Sequence, residues 1–123
     1  MKNVRQLIQM ACRGFILMGS LTLGTSDAAM FDWRDIDGQD FTTPVRNQGP
    51  AGTCWAFAAV GALEAKFEIN EEMPQIDLDL SEQHLVSSGC CGNTLGGFDA
   101  RALGFFVSNG VTDESTLPYT AED

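Results

Sequence analysis

Cys54 is the residue whose setting says most about chemistry. It sits in Gln48-Gly49-Pro50-Ala51-Gly52-Thr53-Cys54-Trp55-Ala56-Phe57, directly behind a Pro/Gly turn and directly ahead of an Ala-rich run. That order places a thiol at a helix N-terminus, where the helix dipole and free N–H groups favour the thiolate. The thiolate is the nucleophile and the neutral thiol mostly is not. The plainer alternative is a buried or disulfide-bonded cysteine that happens to precede a helix. The other chemistry-bearing residues are few. Cys90-Cys91 with a single histidine, His84, is too little for a zinc site. The spacing of Cys54, Cys90 and Cys91 is not the Cys-x-x-Cys of a redox pair.

The elements that must position Cys54 read as follows. Residues 31–53 are loop-like, interrupted by Gly38, Pro44, Gly49, Pro50 and Gly52. Residues 54–69 form the clearest helix, with small residues around Trp55, Phe57, Val60, Leu63 and Phe67. Apolar over most of its surface, it is expected to be buried, with Glu64, Lys66 and Glu68 carrying its far end into solvent. Residues 70–80 read as an acidic connection or edge segment. Ser81 is a plausible N-cap for a short helix with Leu85 and Val86 facing the core. Residues 88–97 form a Gly/Ser/Cys/Asn loop. A third helix is expected from about Asp99 to Ser108, with Leu103, Phe106 and Val107 as its apolar stripe. Asn109-Gly110 supplies a left-handed stop signal.

The segment around Cys54 resembles the papain-like cysteine peptidases, whose signature places a glutamine and a Gly-rich turn before Cys-Trp-Ala-Phe. The resemblance runs from Phe31 to about Tyr119. It takes in Asp32-Trp33-Arg34, Thr43-Pro44-Val45-Arg46-Asn47-Gln48-Gly49, Leu80-Ser81-Glu82-Gln83-His84-Leu85-Val86, Gly96-Gly97-Phe98, Gly110-Val111 and Leu117-Pro118-Tyr119. It implies an α+β papain-like fold, of which this chain carries mainly the α-helical left lobe while the β-rich right lobe is missing. The implied reaction is hydrolysis of a peptide bond by attack of the Cys54 thiolate, through an acyl-enzyme that water later cleaves.

The resemblance also assigns roles. Gln48 becomes an oxyanion donor beside the N–H of Cys54; otherwise it is an ordinary loop glutamine. Trp55 packs beneath the cleft. Gly97, following Gly96, becomes the glycine whose backbone pairs with an extended substrate, and otherwise a simple loop glycine. Phe98 and Asp99 line the pocket for the second residue upstream of the cut, although Phe98 could equally belong to the core and Asp99 could cap the third helix. His84 falls where the family has a structural helix and reads as a surface histidine, not the general base. The family's His and Asn lie about 130–150 residues beyond the nucleophile, past Asp123. The chain alone is therefore expected to hold half an active site, to be inactive and to be poorly stable, with its cleft face uncovered. Ala51 and Thr94 stand where the family has one bridged cysteine pair. Cys90 or Cys91 is expected to supply another bridge, to a partner a few residues past Tyr119; a bond between the two adjacent cysteines is the strained alternative.

Residues 1–28 read as a signal peptide. Lys2, Arg5 and Arg13 give the positive start, Gly14 to Gly24 a short apolar core, and Ser26-Asp27-Ala28 a cleavage site. The apolar run is short for a membrane span, so no stable membrane association is expected. A soluble helix or uncleaved anchor is the other reading of this leader. Residues 29–123 form the truncated peptidase domain, with no long pro-segment ahead of Phe31. Location follows as secreted or extracytoplasmic, either extracellular or in a lysosome-like compartment. The whole chain carries a net charge of −10, and the leader holds three of its seven basic residues but one of its seventeen acidic ones. An acidic surface argues against nucleic-acid binding and names no partner beyond a peptide or protein substrate. No cofactor or metal is called for. The competing readings are a lobe that binds peptides or a partner without cleaving, and a secreted redox thiol protein. The pairing of Gln48 with Cys54 favours the peptidase, since a binder needs neither.

Overall fold

A computed structural model describes residues 31–76 and 78–123; the leader reading for residues 1–28 lies outside them. Three helices and one small hairpin follow in order: α1 (Cys54–Glu71), α2 (Glu82–Ser88), β1 (Gly92–Asn93), β2 (Gly96–Gly97) and α3 (Asp99–Asn109). None of the described helices is long and apolar enough to cross a membrane.

Helix α1 is the centre of the lobe. It turns off at Glu72, which adopts left-handed geometry and returns its N–H to the Glu68 carbonyl; Pro74 follows. Trp55, Ala56, Ala59, Val60, Glu64 and Glu68 are its buried residues, spaced as one face of a helix. The core forms where this face meets Leu85 and Val86 of α2, Cys91, and Ala102 and Phe106 of α3. Two expectations need correcting here. The opposite side of α1 is open, with Cys54, Ala58, Ala62 and Lys66 exposed. The end expected in solvent instead buries both Glu64 and Glu68. The reason is that residues 72–76 and 78–80 pack against the helix, where N–H groups of Gln75 and Leu80 find no strand partner. Glu64 accepts from Leu80 N–H at 2.8 Å, and Glu68 from Gln75 N–H at 3.1 Å. The Thr43 hydroxyl also donates to Glu64. The buried carboxylates thus satisfy loop donors that would otherwise be orphaned.

Ser81 caps α2 as its sequence position suggested, accepting the His84 N–H at 3.0 Å while its own hydroxyl donates to the Leu117 carbonyl at 2.6 Å. Gly89 closes the helix at φ +61°. Helix α3 buries Ala102 and Phe106; Leu103 and Val107, expected in the stripe, are 42% and 89% exposed. Phe106 is buried as expected, and the small Ala102 joins it in the core shared with α1. Residues 92–97, read from sequence as loop, form an antiparallel hairpin with Gly92 opposite Gly97 and Asn93 opposite Gly96. An isolated bridge between Leu80 and Asp113 draws the 110–120 segment alongside the start of α2.

Candidate active site

Cys54 is the first residue of α1, exposed and free of any disulfide. The preceding residue, Thr53, is fully buried, yet its side chain does not cap the helix. Its carbonyl accepts from Ala56 N–H at 2.8 Å, while its hydroxyl turns away to the phenol of Tyr119 at 2.6 Å. Among the described residues the N–H of Cys54 has no acceptor, so the first turn presents sulfur and N–H together.

Gln48 lies at the other end of the turn. Its side-chain Nε2 donates to the Ala51 carbonyl at 2.8 Å. That bond orients the amide and uses one of its two protons, leaving the second without a partner among the described residues. Gly49 supplies the left-handed corner, at φ +64°. The turn is also tied to the hairpin by the Gly52 N–H, which donates to Thr94 O at 2.7 Å. That bond lies beside Ala51 and Thr94, the two positions where the resemblance places a lost bridge.

Trp55 is buried under the hairpin, its indole N–H donating to Asn93 O at 3.2 Å. A Cβ on Gly97 would lie 2.6 Å from two carbons of that indole, so no side chain fits there. Packing against Trp55 alone therefore demands glycine at 97, with or without a substrate. Gly96 is open, and at φ +150° its glycine serves backbone geometry. Phe98 is 61% exposed, with the Arg101 guanidinium 4.8 Å above its ring. Asp99 is exposed in the first turn of α3, whose N-cap is Phe98; its carboxylate accepts from Ala100 N–H at 2.7 Å. Phe98 is thus not core, and Asp99 is not the capping residue.

The sulfurs of Cys90 and Cys91 are bonded to each other. Of the two expectations, the structure has the bond between the adjacent cysteines. Cys54, the other described cysteine, stands apart at the head of α1, and Cys91 is buried in the core. His84 is also more engaged than a surface residue. It is half-buried, its Nδ1 accepts from Thr112 N–H at 3.1 Å, and its ring meets Phe105 edge-on at 5.9 Å. With Nδ1 occupied on the α3 side of α2, it serves the packing of the 105–112 segment.

Behind the turn lies a cavity of about 260 Å³ lined by Arg46, Asn47, Phe57, Asp79, Glu82, Glu114 and Tyr119. Burial pushes the Glu82 carboxyl up to about 7, with the negative charges of Glu114, Glu64 and Asp79 adding to the rise and its own N–H opposing it. Burial likewise raises Glu64, partly offset by the donors from Leu80 and Thr43. Arg46 pairs with Asp79 at 3.1 Å. Glu114 accepts the Tyr119 N–H through Oε1, while its buried Oε2 has no partner among the described residues. The sequence reading missed Thr53, Tyr119 and this carboxylate group. Tyr119 was visible only as the end of Leu117-Pro118-Tyr119, and nothing in periodicity shows that glutamates on a helix will be covered by a loop.

The chain belongs to the papain family of cysteine proteases: the family model matches residues 28–123. It is 36% identical to cysteine proteinase 4 of Dictyostelium discoideum over 85% of this chain and 26% of that protein. It is 41% identical to digestive cysteine proteinase 3 of Homarus americanus, over 78% of this chain and 29% of that one. Its fold is similar to that of digestive procathepsin L2 from Tenebrio molitor larval midgut, with TM-score 0.67 and 36% identity over 76% of this chain and 29% of that structure. Bromelain from Ananas comosus in complex with the E64 inhibitor gives TM-score 0.64 and 37% identity, over 76% and 41% of the two chains. The chain thus spans well under half the length of these relatives, and what it shares with them is the helical lobe.

Proposed function

We propose that residues 29–123 supply the nucleophile half of a peptide-hydrolysing site. Cys54 attacks the carbonyl carbon of the scissile bond, and the amine leaves to give an acyl-enzyme that water hydrolyses. The second Nε2 proton of Gln48 and the N–H of Cys54 hold the oxyanion of the tetrahedral intermediates. The observation that carries this reading is the exposed, unbridged sulfur at the uncapped start of α1, in one turn with an amide already oriented by Ala51. Gly96 and Gly97 border the substrate path, with Phe98 and Asp99 next to them at the pocket for the second upstream residue. A binding-only lobe has no use for this pairing.

The general base and its orienting partner come from outside residues 31–123, because His84 is committed to Thr112. The described lobe alone is inactive on this account, and its exposed Val45 and Leu95 are surface for the complementing β-rich lobe. The leader and the Cys90–Cys91 bond both suit an oxidising, extracytoplasmic compartment.

The test joins residues 29–123 to the remaining part of stem bromelain. A folded chimera is expected to hydrolyse a peptidyl fluorogenic substrate. Cys54→Ala abolishes this, and Gln48→Ala lowers kcat by about 10²–10³. A folded chimera whose turnover survives Cys54→Ala refutes the assignment. Turnover by the 123-residue chain alone, lost in Cys54→Ala, refutes the need for a second lobe.

A further inference from the structure

The turn between Gln48 and Cys54 has no regular structure to hold it. Its internal tie is the Gln48 side chain on Ala51 O, and its external tie to the hairpin is Gly52 N–H on Thr94 O. Both ends of the turn converge on one atom. The hydroxyl of Tyr119 lies 2.9 Å from the Gln48 carbonyl and 2.6 Å from Thr53 Oγ1, across 71 and 66 residues of sequence respectively.

The proton inventory of this cluster closes in only one way. A carbonyl can only accept, so the single phenolic proton of Tyr119 goes to Gln48. The Thr53 hydroxyl must then donate to the Tyr119 oxygen. The chain of bonds runs from Thr53, beside the nucleophile, through Tyr119 to Gln48, the amide bearer. Its direction is fixed, and Thr53 is fully buried, so no water competes at that end. The ring is steadied separately: it meets Phe57 edge-on at 4.9 Å, and its backbone N–H donates to Glu114 at 2.6 Å. Packing thus places the ring, and the hydroxyl spans the turn.

We propose that Tyr119 is a positioning residue of this site: its hydroxyl holds the Gln48 backbone, and so sets the distance from Cys54 of the amide that Ala51 orients. The proposal rests on the reading of Cys54 as nucleophile and Gln48 as oxyanion donor. It explains why Thr53 leaves α1 uncapped, since its hydroxyl is committed to Tyr119. It also gives the Leu117-Pro118-Tyr119 segment a role in a site more than sixty residues away in sequence.

Tyr119→Phe keeps the ring and deletes only the hydroxyl; Thr53→Ser keeps the hydroxyl and serves as the conservative control. Both are compared with the 123-residue chain by three readouts. The first is the side-chain amide signals of Gln48 in ¹⁵N spectra, which report its orientation without any chemistry at Cys54. The second is the dissociation constant for acetyl-phenylalanyl-glycinal. Its aldehyde carbon bonds to the Cys54 sulfur, the carbonyl π pair moves to oxygen, and the thiol proton ends there, giving a hemithioacetal. The third is the alkylation rate of Cys54 by iodoacetamide, which makes no oxyanion.

Tyr119→Phe is expected to shift the Gln48 amide signals and to weaken aldehyde binding about tenfold, because a donor displaced from its target forfeits most of its effect. Iodoacetamide rates stay within about twofold, and Thr53→Ser behaves as the parent on all three readouts. Unchanged Gln48 signals, or a loss of aldehyde binding matched by an equal loss of alkylation rate, overturn the proposal. A parent chain that binds no aldehyde refutes the nucleophile and oxyanion reading instead, and the Gln48 signals still decide the role of Tyr119.

Discussion

Glu82 makes the stability of this lobe fall as pH rises. Its side chain lines the cavity behind the nucleophile turn, and its carboxyl is pushed up to about 7 from the ordinary 4.5, chiefly by burial. Between those two values the folded chain holds a proton that the unfolded chain has released. The folded state binds more protons there, so stability falls as pH rises from about 4.5 to 7 and is level above. The full shift corresponds to roughly 3 kcal/mol. Solvent reaching the cavity screens the charge, so we take about 1–2 kcal/mol as the measurable part. Glu82→Gln removes the charge at nearly constant shape. At pH 8 it should raise stability by that amount, or the thermal midpoint by about 5–10 °C for a domain of this size. At pH 4.5, where Glu82 is protonated, variant and parent should agree. The assay is thermal unfolding by circular dichroism across pH 4.5–8 at fixed ionic strength. A parent whose stability is flat or rises over that window refutes the reasoning, as does a variant no more stable than the parent at pH 8. Asp32 and Asp113 are held below the ordinary range, Asp32 by Arg34 and Asp113 by Ser115 and Thr116, so they titrate beneath this window and do not confuse it.

Glu64→Ala should destabilise the lobe by about 2–3 kcal/mol, read as a denaturation midpoint, because Leu80 N–H and Thr43 lose their acceptor in a buried place; a cost under about 0.5 kcal/mol counts against that role. Gly97→Ala should cost about 1–3 kcal/mol and shift the tryptophan emission, since its methyl would enter the Trp55 ring. The same variant with parental emission and stability would show that the hairpin does not rest on Trp55. Peptide mapping of non-reduced protein should recover Cys90 and Cys91 as one oxidised pair in a single peptide; alkylation of either without reductant contradicts the bond.

The three helices were legible because each carries local signals. The Ala-rich run after Thr53, the Ser81 cap and the Asp99 start with Gly110 beyond it are decided within a turn or two of chain. The site was legible at Cys54 and Gln48 for the same reason: one turn contains both. What stayed hidden depends on contacts between distant segments. The burial of Glu64 and Glu68 follows from a loop crossing the helix, and no helical period reports that. The 92–97 hairpin has glycines where strand formers are expected, because Trp55 leaves no room for a side chain at Gly97, the facing strand leaves none at Gly92, and Gly96 takes a φ of +150°. The α3 stripe kept Phe106, but its other buried residue is Ala102, a weak hydrophobic signal, and not Leu103 or Val107. Tyr119 joined the site only through its hydroxyl, which no local pattern displays.

The central claim is that Cys54 is a built nucleophile and not merely an exposed thiol. The most direct measurement treats the 123-residue chain with a peptidyl epoxide and, separately, with the same epoxide lacking its peptide arm, and maps the adducts by mass spectrometry. The account predicts one adduct per chain, on Cys54, formed many-fold faster with the peptide arm than without it, and slowed by Gln48→Ala. Equal rates for the two reagents, or an adduct absent from Cys54, would contradict it.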